Sequence, residues 1–228
     1  MTARSLRETF AADEPAWPVL QSWINAAKNP VEILPTDEAQ RRQVLLDMDV
    51  LPQSPMGAIV YHTGGLLVDH GWLRFVGSGS PRLTRTLPGW NRGRSSLSEN
   101  SDSHDFNLVA DDVVGGFFAL NGGAFPGPKT EVFYFAPDTL RWEHLPGMGY
   151  AEFLNWSFNS NLDKFYGSFR WPGWQSEVSE LSGDEAFSIY PPLFTKEGKN
   201  IADCSRRRCP VSEIYSLNVM EFPKQLNG

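Results

Sequence analysis

Two adjacent carboxylates, Asp111 and Asp112, are the residues in this sequence that most resemble an acid/base pair. They follow the apolar run Leu108–Ala110 and precede the glycine pair Gly115–Gly116. Successive side chains of a strand point to opposite faces, so the two carboxylates are not expected to share a site. The plainer interpretation is that they end a strand and cap a turn. An enzyme that acts on a small molecule, with Asp112 and a nearby histidine as acid and base, stays as the alternative.

The other reactive residue types form no recognisable catalytic or metal-binding motif. The 4 histidines lack metal-ligand spacing, and no serine lies in a Gly-x-Ser-x-Gly elbow. Cys204 and Cys209 lack the neighbours of a thiol nucleophile, and two thiols cannot complete a zinc site. The segment Gly77–Gly79, followed by Arg82 and Arg85, is a candidate phosphate loop. It runs into Pro81 rather than a helix, which favours an ordinary turn. We therefore expect no metal and no cofactor.

Arginine, tryptophan and acidic residues suggest a binding surface instead. Aromatic and arginine side chains carry most of the energy at interaction hot spots. Trp171 and Trp174 flank a Pro-Gly turn, and two interpretations remain open: exposed anchors for a partner, or core residues. Acidic side chains at strand ends are expected to project from the rim of a sheet. The predicted partner-binding set is Asp111, Asp112, Asp138, Arg170, Trp171 and Trp174.

Composition narrows the classes of partner. The 228 residues carry a net charge of -7, which argues against binding to nucleic acid or to an anionic membrane. No apolar stretch approaches the roughly 18 residues of a membrane span, and the first residues do not resemble a signal peptide. A cytoplasmic protein with reduced thiols is expected. The short basic run Arg206–Arg208 is expected to be solvated surface, with a phosphate or an acidic partner as the alternative.

The elements that position these residues are predicted from apolar periodicity and turn signals. Short aromatic and β-branched runs between residues 108 and 145 are typical of an antiparallel meander. The alternating segment Gly71–Val76 predicts a half-buried strand, and Gly57–Tyr61 is also expected to be a strand. The segment Pro35–Glu38 is expected to cap a helix that carries Val44, Leu45 and Met48 on its apolar face.

These elements predict one α+β domain over residues 1–228. We expect an antiparallel sheet of about five or six strands, helices on one side of it, and a helical C-terminal elaboration. Residues 1–12 are expected to be mobile, because they carry no periodic pattern. The polar stretch 91–105 is expected to be a mobile surface insertion rather than a linker, because the strand pattern resumes directly after it.

Several local motifs resemble those of known families. The segments Gly57–Val60, His62–Gly65, Gly71–Arg74, Ala110–Gly123 and Tyr134–Leu140 resemble an uncharacterised bacterial family known as a domain of unknown function. More distantly, the order of elements is similar to the SUKH superfamily, which includes bacterial immunity proteins and fungal cell-wall regulators. The similarity includes the segment Leu34–Asp37 before one predicted helix and the segment Glu152–Leu154 within another. The second predicted helix lacks the Asn-Gly-Gly ending expected in that superfamily, and His62–Gly65 is the candidate substitute for it. Neither resemblance supplies catalytic residues.

The leading functional hypothesis is therefore non-catalytic binding. The SUKH resemblance implies an immunity or regulatory protein that holds another protein, with a basic, toxin-like partner as one candidate. The net charge of -7 makes an acidic binding surface the natural complement of such a partner.

Overall fold

The main feature of the fold is an antiparallel sheet whose strands follow chain order. The computed structural model describes residues 16–48, 50–95 and 105–227. In this part of the chain the sheet has seven strands, β1 to β7, and a separate ribbon pairs β8 with β9. The strands are Val31–Leu34, Gly65–Val68, Leu73–Val76, Phe106–Asp112, Phe117–Asn121, Val132–Ala136, Arg141–His144, Glu185–Tyr190 and Ser205–Pro210. The predicted α+β class with an antiparallel sheet is confirmed, with seven strands in the main sheet.

Short helices fill the connections between strands. Helices α1 to α9 are Ala16–Asn25, Glu38–Met48, Pro55–His62, Leu87–Asn91, Tyr150–Asn159, Leu162–Tyr166, Trp174–Ser179, Val211–Tyr215 and Phe222–Asn227. A π-helix, Ser216–Glu221, joins α8 to α9. The predicted helical C-terminal elaboration is therefore present. The cap predicted within Pro35–Glu38 is also present, since the Asp37 carboxylate accepts hydrogen bonds from the backbone N–H groups of Ala39 and Gln40.

Helices contact both faces of the sheet, although the sequence placed them on one side. Phe117 and Phe118 are neighbours on β5, so their side chains point to opposite faces. Phe118 packs on Phe153 of α5 at 4.6 Å between ring centroids, and Phe117 packs on Tyr215 of α8 at 5.0 Å. Both phenylalanines are fully buried. We call the two sides of the sheet the α5 face and the α8 face.

The strand predicted at Gly57–Tyr61 is wrong, because this segment belongs to α3. Ser54 caps the helix by accepting a hydrogen bond from the Gly57 N–H at 3.0 Å, and Pro55 occupies the first turn. Residues 57 to 60 are all buried. A short apolar run that is buried on every side has no period that separates helix from strand, and the Ser-Pro cap decides for the helix.

The boundaries of the predicted insertion differ from expectation where the structure describes them. Asn91 ends α4 and is buried, and its side chain bonds the Leu87 and Leu108 carbonyls at 2.9 and 3.0 Å. Ser95 is buried as well. Residue 91 therefore belongs to packed structure rather than to a mobile insertion. Residues 96–104 and the predicted mobile segment 1–12 lie outside the described residues.

The helices are short relative to a lipid bilayer. Within the described residues, no helix has both the length and the apolar content needed to cross a membrane.

Candidate functional site

A row of cross-strand neighbours runs along the α8 face from one edge of the sheet to its middle. Register pairs Glu32 on β1 with Leu67 on β2, Leu67 with Arg74 on β3, and Arg74 with Asp111 on β4. Directly paired residues project from the same face. The row therefore connects the outer strand β1 to a buried arginine and its carboxylate partner.

Arg74 is the centre of this row. Its side chain is only 2% exposed, and it forms an ion pair with Asp111. Its guanidinium also donates to the carbonyls of Glu185 and Asp112, the latter at 3.0 Å. The Nε–H group is buried and has no hydrogen-bond partner within the described residues. Burial lowers the pKa of Arg74, and the charge of Asp111 acts against that shift.

Asp111 shares its carboxylate between two arginines. Its second oxygen lies 2.5 Å from a guanidinium nitrogen of Arg85, and the Arg85 Nε lies 3.0 Å from Asp184. Asp184 also accepts hydrogen bonds at 2.6 Å from the Thr84 backbone N–H and from the Thr84 hydroxyl. Burial raises the pKa of Asp184, but the bonds from Thr84 and the charge of Arg85 lower it overall. Two cations and two carboxylates thus neutralise one another.

A cavity of about 300 Å³ lies beside Arg74. It is bounded by the outer strand β1, by the β2–β3 turn and by the segment that leads from α7 to β8. Arg74 and Leu67 line it from the sheet, and Val178 and Leu181 line it from the opposite side. The cavity therefore sits directly over the row from Glu32 to Arg74.

The β2–β3 turn holds three successive residues in the left-handed region. Asp69, His70 and Gly71 have φ values of 53°, 60° and 87°. Such values are uncommon for residues with a Cβ, and they cluster at functional sites. The turn places His70 and Gly71 on the cavity, and it directs the Asp69 carboxylate to Arg170 on its other side.

On the α5 face, Asp112 occupies a sealed environment. It is fully buried, and one carboxylate oxygen accepts hydrogen bonds from the backbone N–H groups of Val114 and Gly116 at 3.1 and 2.8 Å. The Tyr134 hydroxyl donates to the other oxygen at 2.9 Å. Burial raises the pKa of Asp112 to about 6, against the opposing effect of these hydrogen bonds.

The predicted exposure of Asp111 and Asp112 is wrong, because both side chains are fully buried. Asp112 does cap the glycine turn as the plainer interpretation expected, whereas Asp111 neutralises two arginines. Adjacent residues on a strand face opposite sides, so the carboxylates do not share a site. The described contacts of Asp112 include no histidine, and the acid/base pair of the enzyme alternative is not assembled.

The predicted anchors Trp171 and Trp174 are core residues, 3% and 7% exposed. Arg170 lies over the Trp174 ring at 4.2 Å, and its side chain is 8% exposed. The Trp171 indole donates to Glu177 at 2.8 Å, and Arg206 covers its ring at 4.4 Å. The prediction that these side chains are exposed for a partner is therefore wrong. Both indoles pack on Trp72, and Arg170 and Arg206 cover their rings.

The remaining predicted residues lie apart from the cavity. Asp138 is partly exposed in the β6–β7 turn. Arg207 and Arg208 are exposed on β9, and Arg208 pairs with Glu180. The described residues contain no group of three or more histidine, cysteine or acidic side chains that could hold a metal ion.

Sequence reasoning missed Arg74 and Asp184, and it considered Arg85 only as a phosphate ligand beside Gly77–Gly79. A signal for Arg74 existed, because the alternation of Gly71–Val76 places it on an inward-facing position beside apolar residues, where an arginine needs a carboxylate partner. Arg85 and Asp184 gave no such signal. They lie in irregular segments and are 99 residues apart in the chain.

Comparison with known proteins gives two relatives that are described as uncharacterized. The chain is 42% identical over 193 residues to a protein of Escherichia coli K12 described as a putative uncharacterized protein, YbfG. The matched region covers 85% of this chain and 87% of the relative. It is 35% identical over 221 residues to an uncharacterized protein of Haemophilus influenzae, covering 97% and 96%. No solved structure matches.

A family model described as protein of unknown function DUF2625 matches residues 6–214. That range covers most of the chain, including the row from Glu32 to Asp111 and the cavity beside it. The chain belongs to the DUF2625 family.

Proposed function

We propose that this protein is a non-catalytic protein-binding module that adds an extended segment of its partner to the free edge of β1. Strand addition is a common mode of peptide recognition, in which main-chain hydrogen bonds provide affinity and neighbouring pockets provide specificity. The observation that carries the proposal is an outer strand, β1, whose second edge has no partner strand within the described residues and which directly borders a cavity.

The register of β1 determines which backbone groups are available. The Asp69 N–H donates to the Pro30 carbonyl at 2.8 Å, so hydrogen-bonded pairs recur at Pro30 and, two residues later, at Glu32. The N–H and C=O groups of Val31 and Ile33 therefore point away from β2. None of these groups has a partner within the described part of the chain, and Ile33 is 39% exposed.

An added strand would continue the row that leads to Arg74. A partner residue opposite Glu32 would project from the α8 face, on the side of the sheet where the cavity opens. Its side chain would meet the cavity while its backbone pairs with Val31 and Ile33. Backbone pairing and a specificity pocket thus lie within one strand spacing, about 5 Å, of each other.

The overall charge favours a basic partner, because a net charge of -7 steers cations toward the protein at long range. The steering charges are surface acids other than the buried Asp111 and Asp112. An immunity or regulatory role toward a basic, toxin-like protein in the cytoplasm, as the SUKH resemblance implies, is one form of this proposal.

A photo-crosslinking residue at position 33 identifies the partner in cells that express the full chain, with position 142 on the opposite edge strand β7 as the control. The recombinant partner is then titrated with Ile33→Pro and Ile33→Ala. Proline removes the outward N–H of residue 33 without removing a bond between β1 and β2, whereas alanine keeps that N–H.

We expect Ile33→Pro to weaken binding at least about tenfold, the equivalent of about 1.4 kcal/mol. Ile33→Ala should stay close to wild type, and both variants should remain folded. Equal binding by wild type and Ile33→Pro, or cross-linking at position 142 alone, would reject strand addition at β1.

A further inference from the structure

We infer that a largely apolar groove beside β8 is a docking site for an amphipathic helix of a partner protein, and that residues 216–227 occupy this groove reversibly in the free protein. The walls of the groove are formed by Val114, Pro137, Phe187, Ile189, Leu193 and Phe194. The groove shares no residue with the cavity beside β1, so the inference does not depend on strand addition there.

The C-terminal segment of the protein itself shows what the groove accepts. Leu217 of the π-helix and Phe222 of α9 line the groove, and the Phe222 ring lies 5.1 Å from that of Phe194. The Phe222 N–H bonds to the Leu217 carbonyl in the i→i+5 pattern of a π-helix. The Asn218 amide donates to the Gly115 carbonyl at 3.2 Å. Apolar anchors on one side of a helix are the basis of helix-in-groove recognition.

This segment is held less tightly than the helix before it. Ile214 and Tyr215 of α8 are buried, whereas none of the residues from 216 to 226 is. Met220 and Leu226 are 43% and 63% exposed. A segment with few buried apolar contacts opens locally at a lower free energy than the core of the protein. The groove is therefore uncovered more readily than the sheet is unfolded.

Two local features weaken the contact further. Pro223 follows directly after the π-helix and has no N–H to donate, so the junction with α9 lacks a backbone hydrogen bond. A cavity of about 50 Å³ is lined both by the segment and by the groove. Protein interiors leave few voids larger than a water molecule, so this contact is incompletely packed. A helix that fits better would displace the segment.

The experiment measures whether the groove binds the segment in trans. A fluorescein-labelled peptide of residues 216–228 is titrated by fluorescence anisotropy into full-length wild type and into Phe222→Ala, which weakens the internal competitor. Met220→Ala is the matched control, because Met220 is exposed and does not line the groove. A peptide with both Leu217→Ala and Phe222→Ala tests the anchors. The half-buried groove residue Ile189, changed to Asp in the Phe222→Ala protein, tests the location.

We expect Phe222→Ala to bind the peptide at least about tenfold more tightly than wild type or Met220→Ala does. The reason is that the tethered segment competes at an effective concentration on the order of millimolar. The doubly substituted peptide should bind Phe222→Ala at least about tenfold more weakly, and Ile189→Asp should have the same effect. Amides of residues 217–222 in wild type should exchange at least about tenfold faster than those of β5.

The inference is overturned if the peptide does not bind folded Phe222→Ala at millimolar concentrations, or if the doubly substituted peptide binds equally well. If Phe222→Ala does not fold, hydrogen exchange of the wild type decides, and exchange in residues 217–222 as slow as in β5 overturns the inference. A wild-type dimer that Phe222→Ala dissociates would assign the groove to a second copy of the chain and would also overturn it.

Discussion

The two faces of the sheet surround two adjacent aspartates with different kinds of partner. On the α8 face, Asp111 is held between Arg74 and Arg85, in a network that extends to Asp184 and borders a cavity. On the α5 face, Asp112 is enclosed by backbone N–H groups and the Tyr134 hydroxyl. Both side chains are fully buried, so the partners rather than the depth of burial distinguish them.

The comparison shows how partners determine the charge of a buried carboxylate. Asp112 has only neutral donors bonded to it, and burial raises its pKa to about 6. On the other face, Asp184 is bonded to Thr84 and to the cation Arg85, and its pKa is lowered despite burial. The α8 face therefore keeps its ions, each paired with an opposite charge. The α5 face holds a carboxylate whose role is to shape a turn.

The largest expected effect comes from breaking the ion network of the α8 face. Asp111→Asn removes the carboxylate that pairs with both Arg74 and Arg85, and it leaves their buried positive charges without that counter-charge. Loss of one member of a buried ion pair costs about 3–5 kcal/mol, and we expect a loss of that size in urea denaturation. Asp163→Asn is the control, since that carboxylate is 79% exposed although it pairs with Arg170. A loss below about 1 kcal/mol for Asp111→Asn would mean that the network is not essential.

A second prediction uses the pH dependence of the α5 face. The folded pKa of Asp112 is about 6, above its ordinary value of 3.8, so the folded state binds this proton more tightly. The contribution of Asp112 to stability is therefore largest below about pH 4 and is lost as the pH rises through about 6. The difference between a pKa of 3.8 and one of about 6 corresponds to about 3 kcal/mol in the free energy of unfolding, at about 1.36 kcal/mol per pH unit.

The variant Asp112→Asn isolates this contribution. Asparagine can accept the two backbone bonds and donate to the Tyr134 oxygen, but it has no proton to bind in this range. The free energy of unfolding of wild type minus that of Asp112→Asn should increase by about 3 kcal/mol between about pH 8 and pH 4. A difference that is constant with pH, or that changes in the opposite direction, would contradict the assignment.

The smallest predicted effect concerns the glycine turn that Asp112 caps. A Cβ at Gly116 would lie 2.2 Å from the Asp112 Oδ2 and 2.4 Å from the Tyr134 hydroxyl oxygen. Gly116→Ala should therefore cost about 1–3 kcal/mol through overpacking. Gly167→Ala serves as the control, because nothing lies within 4 Å of its Cβ position. Equal thermal stability of the two variants would show that the turn relaxes easily.

The sequence indicated local structure well where short-range signals were strong. The Asp37 cap of α2 and the strands around Phe117 and Val132 were predictable from capping and alternation. The glycine pair after β4 is another local signal of this kind, since Gly115 has a φ of 89°. These features depend on neighbours within a few residues.

The candidate site was not predictable from the sequence, because its contacts join residues that are far apart in the chain. Arg85 meets Asp111 across 26 residues, and Arg74 meets the Glu185 carbonyl across 111. Strand register alone brings Glu32, Leu67 and Arg74 into one row. Trp174 was ambiguous because a Pro-Gly turn can display an indole or return it to the core, and only its packing on Arg170 and Trp72 decides.

The most direct test of the account is amide hydrogen exchange along β1, measured residue by residue by NMR. In the free protein, the Val31 and Ile33 amides should exchange at least about tenfold faster than the Glu32 amide, because of these three N–H groups only that of Glu32 points toward β2. Both should become protected when the cross-linked partner is added. Slow exchange of Val31 and Ile33 in the free protein would show that the edge is already covered. Unchanged exchange in the complex would show that the partner binds elsewhere.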